Sequence, residues 1–219
     1  MFFKKKKVEI VSLGQNCLPR VVLTRNGLKP RKWQGELTLP FDLAVFGVLE
    51  VTKSIKSDFS EFFNDLVFKE ENGQKCWVKE PECIRFIHGK KLNTTDREEL
   101  IATYQKRFIN FRNIMVGSIP ILFVQILSSD EDISNLYSQI LKLRMDKPFK
   151  IAIIDTQDVV KDCKIQDVSV LKLPFPNDDY KNNWWKKEYY KSKEGKNFEN
   201  KICSFCSDLI NKLEPEAES

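Results

Sequence analysis

Short runs of apolar residues recur along the chain, and longer amphipathic segments separate them. The runs cover 8–13 (VEIVSL), 119–127 (IPILFVQIL), 149–156 (FKIAIIDT) and 168–175 (VSVLKLPF). A continuous apolar run of this length is typical of a strand buried on both faces, as in a parallel sheet. The pattern therefore predicts four core strands.

The segments between and after these runs have helical spacing. In the segment 96–115, for example, Leu100, Tyr104, Phe108 and Phe111 recur every three or four residues. Alternating strands and helices favour an α/β fold with a mainly parallel central sheet flanked by helices. We expect one α/β domain over 1–213 and a frayed tail over 214–219. The predicted helices cover 17–26, 46–57, 58–66, 96–115, 130–145 and a region at 178–213.

The segment from 66 to 88 has a different pattern. Asn72-Gly73 lies between two strand-like runs, which is the strongest short hairpin signal, and Glu80-Pro81 marks a second turn. We therefore expect a small antiparallel insertion with strands at about 66–70, 74–79 and 83–88.

Composition and charge narrow the class of protein. Hydrophobic residues make up 42% of the 219, which is typical of a globular chain. The net charge is +5, and the basic residues do not form the clustered pattern that is typical of nucleic-acid-binding proteins. No apolar run reaches the length of a membrane span, and the start is a poor signal peptide. We expect a cytoplasmic protein whose six cysteines are reduced. The sequence does not indicate an oligomeric state.

Cys17 is the strongest candidate nucleophile. It follows the first strand and the loop Ser12–Asn16, and a helix begins near it. A helix N-terminus favours thiolate, and ligands of parallel sheets bind beyond the carboxyl ends of the strands. A buried structural cysteine remains the alternative.

A cysteine hydrolase also needs a base, which is most often histidine. This chain has one histidine, so the only such partner for Cys17 is His88. Asp42, in the segment PFDL, is the first candidate to orient the imidazole, and Asp155 is the second. An oxyanion could be held by the side chain of Gln15 or Asn16 together with the backbone N–H of Cys17. A plain helix cap is the alternative role for Asn16.

Other chemistries have weaker signals. The cysteine spacing does not indicate a zinc site, and the single glycine after strand one supports neither a P-loop nor a dinucleotide motif, so we expect no metal and no cofactor. Two alternatives stay open. One is a ligand-binding or transferase domain, for instance in glycan metabolism, that uses Arg20, Arg25 and Asp42 around an anion pocket at the N-terminus of the first helix. Lys29 lies close to the two arginines in the sequence, which keeps a phosphorylated or nucleotide-sugar ligand open. The other is an interaction module that presents Trp184 to Tyr190.

Several short motifs in a fixed order resemble a known family. They are VSLGQNC, LTRNGL, LPFDL, FIHG, YQKRFINF and ILFVQI, within residues 8–127. The order is similar to the pattern S-L-G-x-x-C, P-F-D-W, F-x-H and Y-x-x-R of a mostly uncharacterised family described as papain-like cysteine peptidases.

The resemblance implies a cysteine-dependent hydrolase, a peptidase, amidase or acyltransferase, that acts on a peptide, an amide or another small molecule. It implies Cys17 as nucleophile and His88 as base, and it matches Asp42 to the aspartate of P-F-D. Gln15, Asn16 and Arg20 complete the predicted site. Two positions depart from the family pattern: Leu43 stands where tryptophan is usual, and Gly89 stands where an acidic residue is common.

Overall fold

The computed structural model describes residues 8–71, 74–79, 84–86, 96–127 and 132–214. The main sheet has four strands in the order β1, β5, β6, β7, and all neighbouring pairs are parallel. The predicted parallel α/β core is thereby confirmed. The strands of this sheet are β1 Glu9–Ser12, β5 Ile121–Leu127, β6 Phe149–Asp155 and β7 Val168–Lys172.

Both faces of this sheet are covered by core. On β5, Phe123 and Leu127 point into one cluster of buried side chains, while Leu122 and Val124 point into the other. This alternation explains why the strand is apolar at nearly every position, since neither face meets water.

The helices divide between the two faces. Helices α1 and α7 contribute buried residues to one cluster, and α2, α3 and α4 contribute to the other. Each helix therefore buries one apolar stripe against the sheet. The helices are α1 Leu18–Arg25, α2 Val48–Lys56, α3 Arg97–Val116, α4 Ile133–Arg144, α5 Asp178–Asn183, α6 Lys187–Tyr190 and α7 Lys193–Asn211.

A second, antiparallel sheet forms the predicted insertion. Its strands are β2 Leu66–Glu71, β3 Gln74–Lys79 and β4 Ile84–Phe86. Phe86 and Trp77 pack into the cluster on the α3 side. The backbone N–H of Val45 donates to the carbonyl of Arg85 at 3.2 Å, so this small sheet is attached to the loop before α2.

One local prediction was wrong. The predicted helix over 58–66 is a series of turns, because Asp58, Phe59 and Asp65 have positive φ angles of 46°, 64° and 56°. A helix cannot continue through left-handed residues. The N-cap of α3 is Asp96, whose side chain accepts from the backbone N–H groups of Glu98 and Glu99.

Arg144 ties together several elements of the core. Its buried guanidinium donates to the carbonyls of the segment that joins α3 to β5 and to the carbonyl before β6. The carbonyls of Ile114 and Pro148 also accept backbone N–H groups, from Gly117 and Ile121. For the carbonyls of Met115, Gly117 and Ile119 the guanidinium is the donor, as a cation near a helix C-terminus often is. The accepting carbonyls belong to Ile114, Met115, Gly117, Ile119 and Pro148.

Within the described part of the chain, no helix has the length and apolar character needed to cross a membrane.

Candidate active site

A tight corner joins β1 to α1. Gly14 has φ 103°, and a Cβ at this position would lie 3.1 Å from the Cβ of Phe46, so glycine suits both the backbone and the space. Gln15 follows with φ 61°, and its backbone N–H donates to the carbonyl of Phe46 at 2.6 Å. The corner is thereby fixed to the loop that precedes α2.

Cys17 occupies the N-cap position of α1, and the helix itself begins at Leu18. Asn16 performs the capping hydrogen bond, because its Oδ1 accepts from the backbone N–H of Leu18 at 2.8 Å. Pro19 lies in the first turn and supplies no N–H. Two of the donors at this helix N-terminus are therefore withdrawn from any anion.

Burial controls the acidity of Cys17. The side chain is half-buried, and desolvation raises the pKa of its thiol above the ordinary value. A hydrogen bond with its own backbone N–H and the charge of Arg20 act in the opposite direction and are smaller. The backbone N–H at the helix N-terminus therefore acts in the expected direction, but desolvation outweighs it, and the thiol needs a base to become a thiolate at neutral pH.

Asp42 lies at the centre of the loop between α1 and α2 and is fully buried. Its Oδ2 accepts from the backbone N–H of Leu39 at 2.7 Å and from the guanidinium of Arg20. Its Oδ1 is buried and has no hydrogen-bond partner among the described residues. One carboxylate oxygen is therefore anchored, and the other is available to accept.

Arg20 links Asp42 to Cys17. It lies on α1 one turn after Cys17, forms the ion pair with Asp42 and is 9% exposed. Burial lowers the pKa of Arg20, and the charges of Glu36 and Cys17 oppose this change. Arg20, predicted to bind substrate, is thus engaged with a protein carboxylate.

Arg107 is a residue of this region that the sequence reasoning did not single out. It is 8% exposed, and its guanidinium carbon lies 4.4 Å from the centroid of the Tyr104 ring. The only sequence signal was the Tyr104-x-x-Arg107 spacing, which places the two side chains on one face of α3.

The remaining predicted residues have different surroundings. His88 lies outside the described residues. The carboxylate of Asp155 accepts hydrogen bonds from the backbone N–H groups of Gln157, Val159 and Val160. It therefore stabilises the loop after β6.

The structure also shows the surroundings of two residues on which the alternative functions depend, Arg25 and Trp184. Arg25 pairs with Glu199 at 2.5 Å and lies over the ring of Tyr190, at the opposite end of α1 from Cys17. Trp184 is buried in the core and only Trp185 of the neighbouring pair is exposed. Neither arrangement extends the site around Cys17.

Metal-binding chemistry has no cluster to support it in the part of the chain that the structure describes. There, no group of three or more His, Cys, Asp or Glu side chains could hold a metal ion. Among the described residues, the groups considered for chemistry around Cys17 are its thiol, the buried carboxylate of Asp42 and the guanidinium groups of Arg20 and Arg107.

The fold and this corner define a class of protein: an α/β domain that carries a cysteine at the helix N-terminus after its first parallel strand. A comparison with protein-family models gives a match over residues 8–158 to the family described as "Putative papain-like cysteine peptidase". The chain belongs to this family, as the motifs of the sequence predicted. Neither the curated proteins nor the solved structures give a match.

Proposed function

We propose that this protein is a cysteine-dependent hydrolase that cleaves a peptide, amide or related acyl substrate, with Cys17 as the nucleophile. One observation carries the proposal. The loop that contacts the Cys17 corner holds a fully buried carboxylate, Asp42, with one oxygen anchored and the other without a partner among the described residues. An orienting carboxylate in a cysteine–histidine triad needs this arrangement.

The end of β4 supports His88 as the base. The rings of Phe46 and Phe86 are 6.0 Å apart, and the carbonyl of Phe46 accepts from Gln15, two residues before Cys17. β4 ends at Phe86, and His88, the one histidine of the sequence, follows two positions later. We therefore assign the role of the base to His88.

The raised pKa of Cys17 explains why a base is required. A buried thiol that stays protonated at neutral pH is a poor nucleophile until an adjacent imidazole takes its proton. His88 accepts that proton, Sγ attacks the acyl carbon, and the imidazolium then protonates the leaving group. Water hydrolyses the thioester in a second step, with His88 again as base.

The oxyanion is assigned to groups at the same corner. The backbone N–H of Cys17, which hydrogen-bonds with Sγ, lies beside the reacting atom. The backbone N–H of Gln15 already donates to Phe46, so Gln15 contributes through its side-chain amide. Asn16 holds the N–H of Leu18, which makes it a positioning residue for the corner.

The test compares Cys17 with Cys163, another half-buried cysteine. Wild type, Cys17→Ala and Cys163→Ala are assayed against a fluorogenic peptide library and p-nitrophenyl esters. We expect turnover with wild type and Cys163→Ala, and a loss of about 100-fold or more with Cys17→Ala. Full turnover by Cys17→Ala would remove Cys17 from the mechanism.

A further inference from the structure

Arg107 presents an unusual electrostatic situation. Its Nη1 is completely buried and has no hydrogen-bond partner among the described residues, although the side chain is only 8% exposed. A buried guanidinium N–H without an acceptor is costly, and such a group calls for an explanation. Tyr104 offsets part of this charge, because its ring faces the guanidinium and its hydroxyl interacts with Arg107, but Nη1 stays without a partner among the described residues.

The neighbouring cations of the same region are already matched by carboxylates. Arg20 pairs with Asp42, and Lys29 pairs with Glu36 at 2.5 Å. None of the ion pairs between described residues includes Arg107. Among the described residues, the region around Cys17 therefore has three such cations and two carboxylates, and Arg107 is the cation without an ion pair.

Contacts of α3 place Arg107 beside the loop of Asp42. Asn110, one turn further along α3, donates to the carbonyl of Thr38 at 3.4 Å. The ring of Phe111 lies 5.8 Å from that of Phe41, the residue before Asp42. The same face of α3 thus carries Arg107 to this loop.

The electrostatics of Arg20 agree with that placement. The positive charge of Arg107 contributes to lowering the pKa of Arg20, and Arg20 also interacts with Cys17. Two like charges brought together under burial repel, and an anion between them would relieve the repulsion. No carboxylate among the described residues fills that role for Arg107.

We propose that Arg107, together with Arg20, forms a subsite for an oxyanion beside Cys17. Rigid guanidinium forks bind carboxylate and phosphate groups in a bidentate manner. Resting on the proposed function, the inference names the substrate class: acyl compounds that carry an acidic group close to the scissile carbonyl. Arg107 selects the acidic group, whereas Cys17 performs the covalent chemistry.

The first test measures anion binding without any reaction. Glutarate, inorganic phosphate and the neutral analogue glutaramide are titrated into wild type and Cys17→Ala, and the Tm is recorded. We expect a rise of about 3 to 6 °C at an anion concentration tenfold above Kd, in both proteins, and none with glutaramide. Glutarate and phosphate separate a carboxylate subsite from a phosphate subsite.

Three variants of α3 decide whether Arg107 is responsible. Arg107→Gln should abolish the anion-dependent rise, and Arg107→Lys, which keeps the charge without the fork, should weaken binding about tenfold. Arg112→Gln is the matched control, because this arginine of the same helix is largely exposed and pairs with Asp58. Unchanged anion binding by a folded Arg107→Gln, or no anion effect on wild type and Cys17→Ala, would overturn the subsite.

A second measurement separates this inference from the proposed function. Cys17 is alkylated with iodoacetate, which is anionic, and with iodoacetamide, which is neutral. We expect Arg107→Gln to lower the ratio of the two rates about tenfold and to leave the iodoacetamide rate nearly unchanged. An unchanged ratio counts against the subsite, whereas an inert Cys17 that still shows the Tm effect counts only against the hydrolase.

Discussion

Arg20 and Asp42 form a buried ion pair in which only one carboxylate oxygen is used. Oδ2 of Asp42 receives the guanidinium and the N–H of Leu39, and Oδ1 receives no donor from the described residues. The pair fixes the orientation of the carboxylate, and the proposed function assigns the second oxygen to an imidazole N–H.

Removal of Arg20 should destabilise the fold strongly. Arg20→Met leaves Asp42 charged and buried, and we expect a loss of about 3 to 5 kcal/mol in the free energy of unfolding in urea. The double variant Arg20→Met/Asp42→Asn should recover part of this loss, because the uncompensated charge is gone. Lys150→Met, which breaks a partly exposed pair with Asp167, should cost about 1 kcal/mol or less. Equal losses for the buried and the exposed pair would contradict this account.

The reactivity of Cys17 should depend on His88 and on pH. Burial raises the pKa of Cys17, so without a base its alkylation by iodoacetamide should increase only above the ordinary thiol range, about pH 8.5. We expect His88→Ala to show this late rise, and wild type to react already between about pH 6 and 7. Cys163 in the same sample serves as the internal reference. Identical profiles for the two proteins would exclude a Cys17–His88 pair.

The two candidate aspartates should behave differently. Asp155→Ala removes the acceptor of three backbone N–H groups, and we expect a loss of about 2 to 4 kcal/mol in stability with an unchanged alkylation rate of Cys17. Asp42→Asn should lower that rate at pH 7 by about tenfold or more, because the imidazole loses its acceptor. The measurement is the iodoacetamide rate under conditions in which both variants are folded. A rate lowered by Asp155→Ala instead would reverse the assignment.

Arg144 should contribute more to stability than other residues of its helix. Arg144→Met removes the guanidinium donor of the carbonyls of Met115, Gly117 and Ile119, and we expect a loss of about 3 kcal/mol or more in urea unfolding. Lys142→Met, an exposed position of α4, is the matched control and should stay within about 0.5 kcal/mol of wild type. A comparable small effect at both positions would show that water replaces the guanidinium at no cost.

Tyr104 should make the protein sensitive to alkali. Burial raises the pKa of Tyr104 to about 12, above the unfolded value of about 10. Because the folded state holds the proton longer, this contribution is fully present below pH 10 and is lost as the pH rises towards 12. Tyr104→Phe cannot ionise, so its stability should fall less steeply over this range, by up to about 1.4 kcal/mol per pH unit. Parallel curves for wild type and Tyr104→Phe in alkaline unfolding would contradict the assignment.

The sequence predicted most of the secondary structure because each element carries its own signal. The apolar run of β5 and the Asn72-Gly73 dipeptide in the sequence between β2 and β3 are local patterns that no long-range contact had to complete. The helix prediction for 58–65 failed because the left-handed conformation of Asp58 and Phe59 depends on packing against α3. The ring of Phe59 stacks on that of Phe108, with 4.3 Å between the ring centroids.

The residues of the candidate site likewise differ in whether the sequence alone could identify them. Cys17 and Asp42 could be named from the sequence because a strand-to-helix corner and the PFDL segment are short motifs. Arg107 could not, because an arginine on a helix is ordinarily a solvated side chain. Its burial beside Tyr104 depends on a packing contact with a loop more than sixty residues away along the chain.

By itself, the sequence determined the α/β class, the strand-to-helix position of Cys17 and its family, since these follow from local periodicity and short motifs. Only the tertiary structure decided that desolvation raises the pKa of the half-buried thiol, that Arg20 pairs with Asp42 and that Nη1 of Arg107 has no hydrogen-bond partner among the described residues. The physical reason is that desolvation and pairing depend on which side chains meet in space, and sequence distance does not report this.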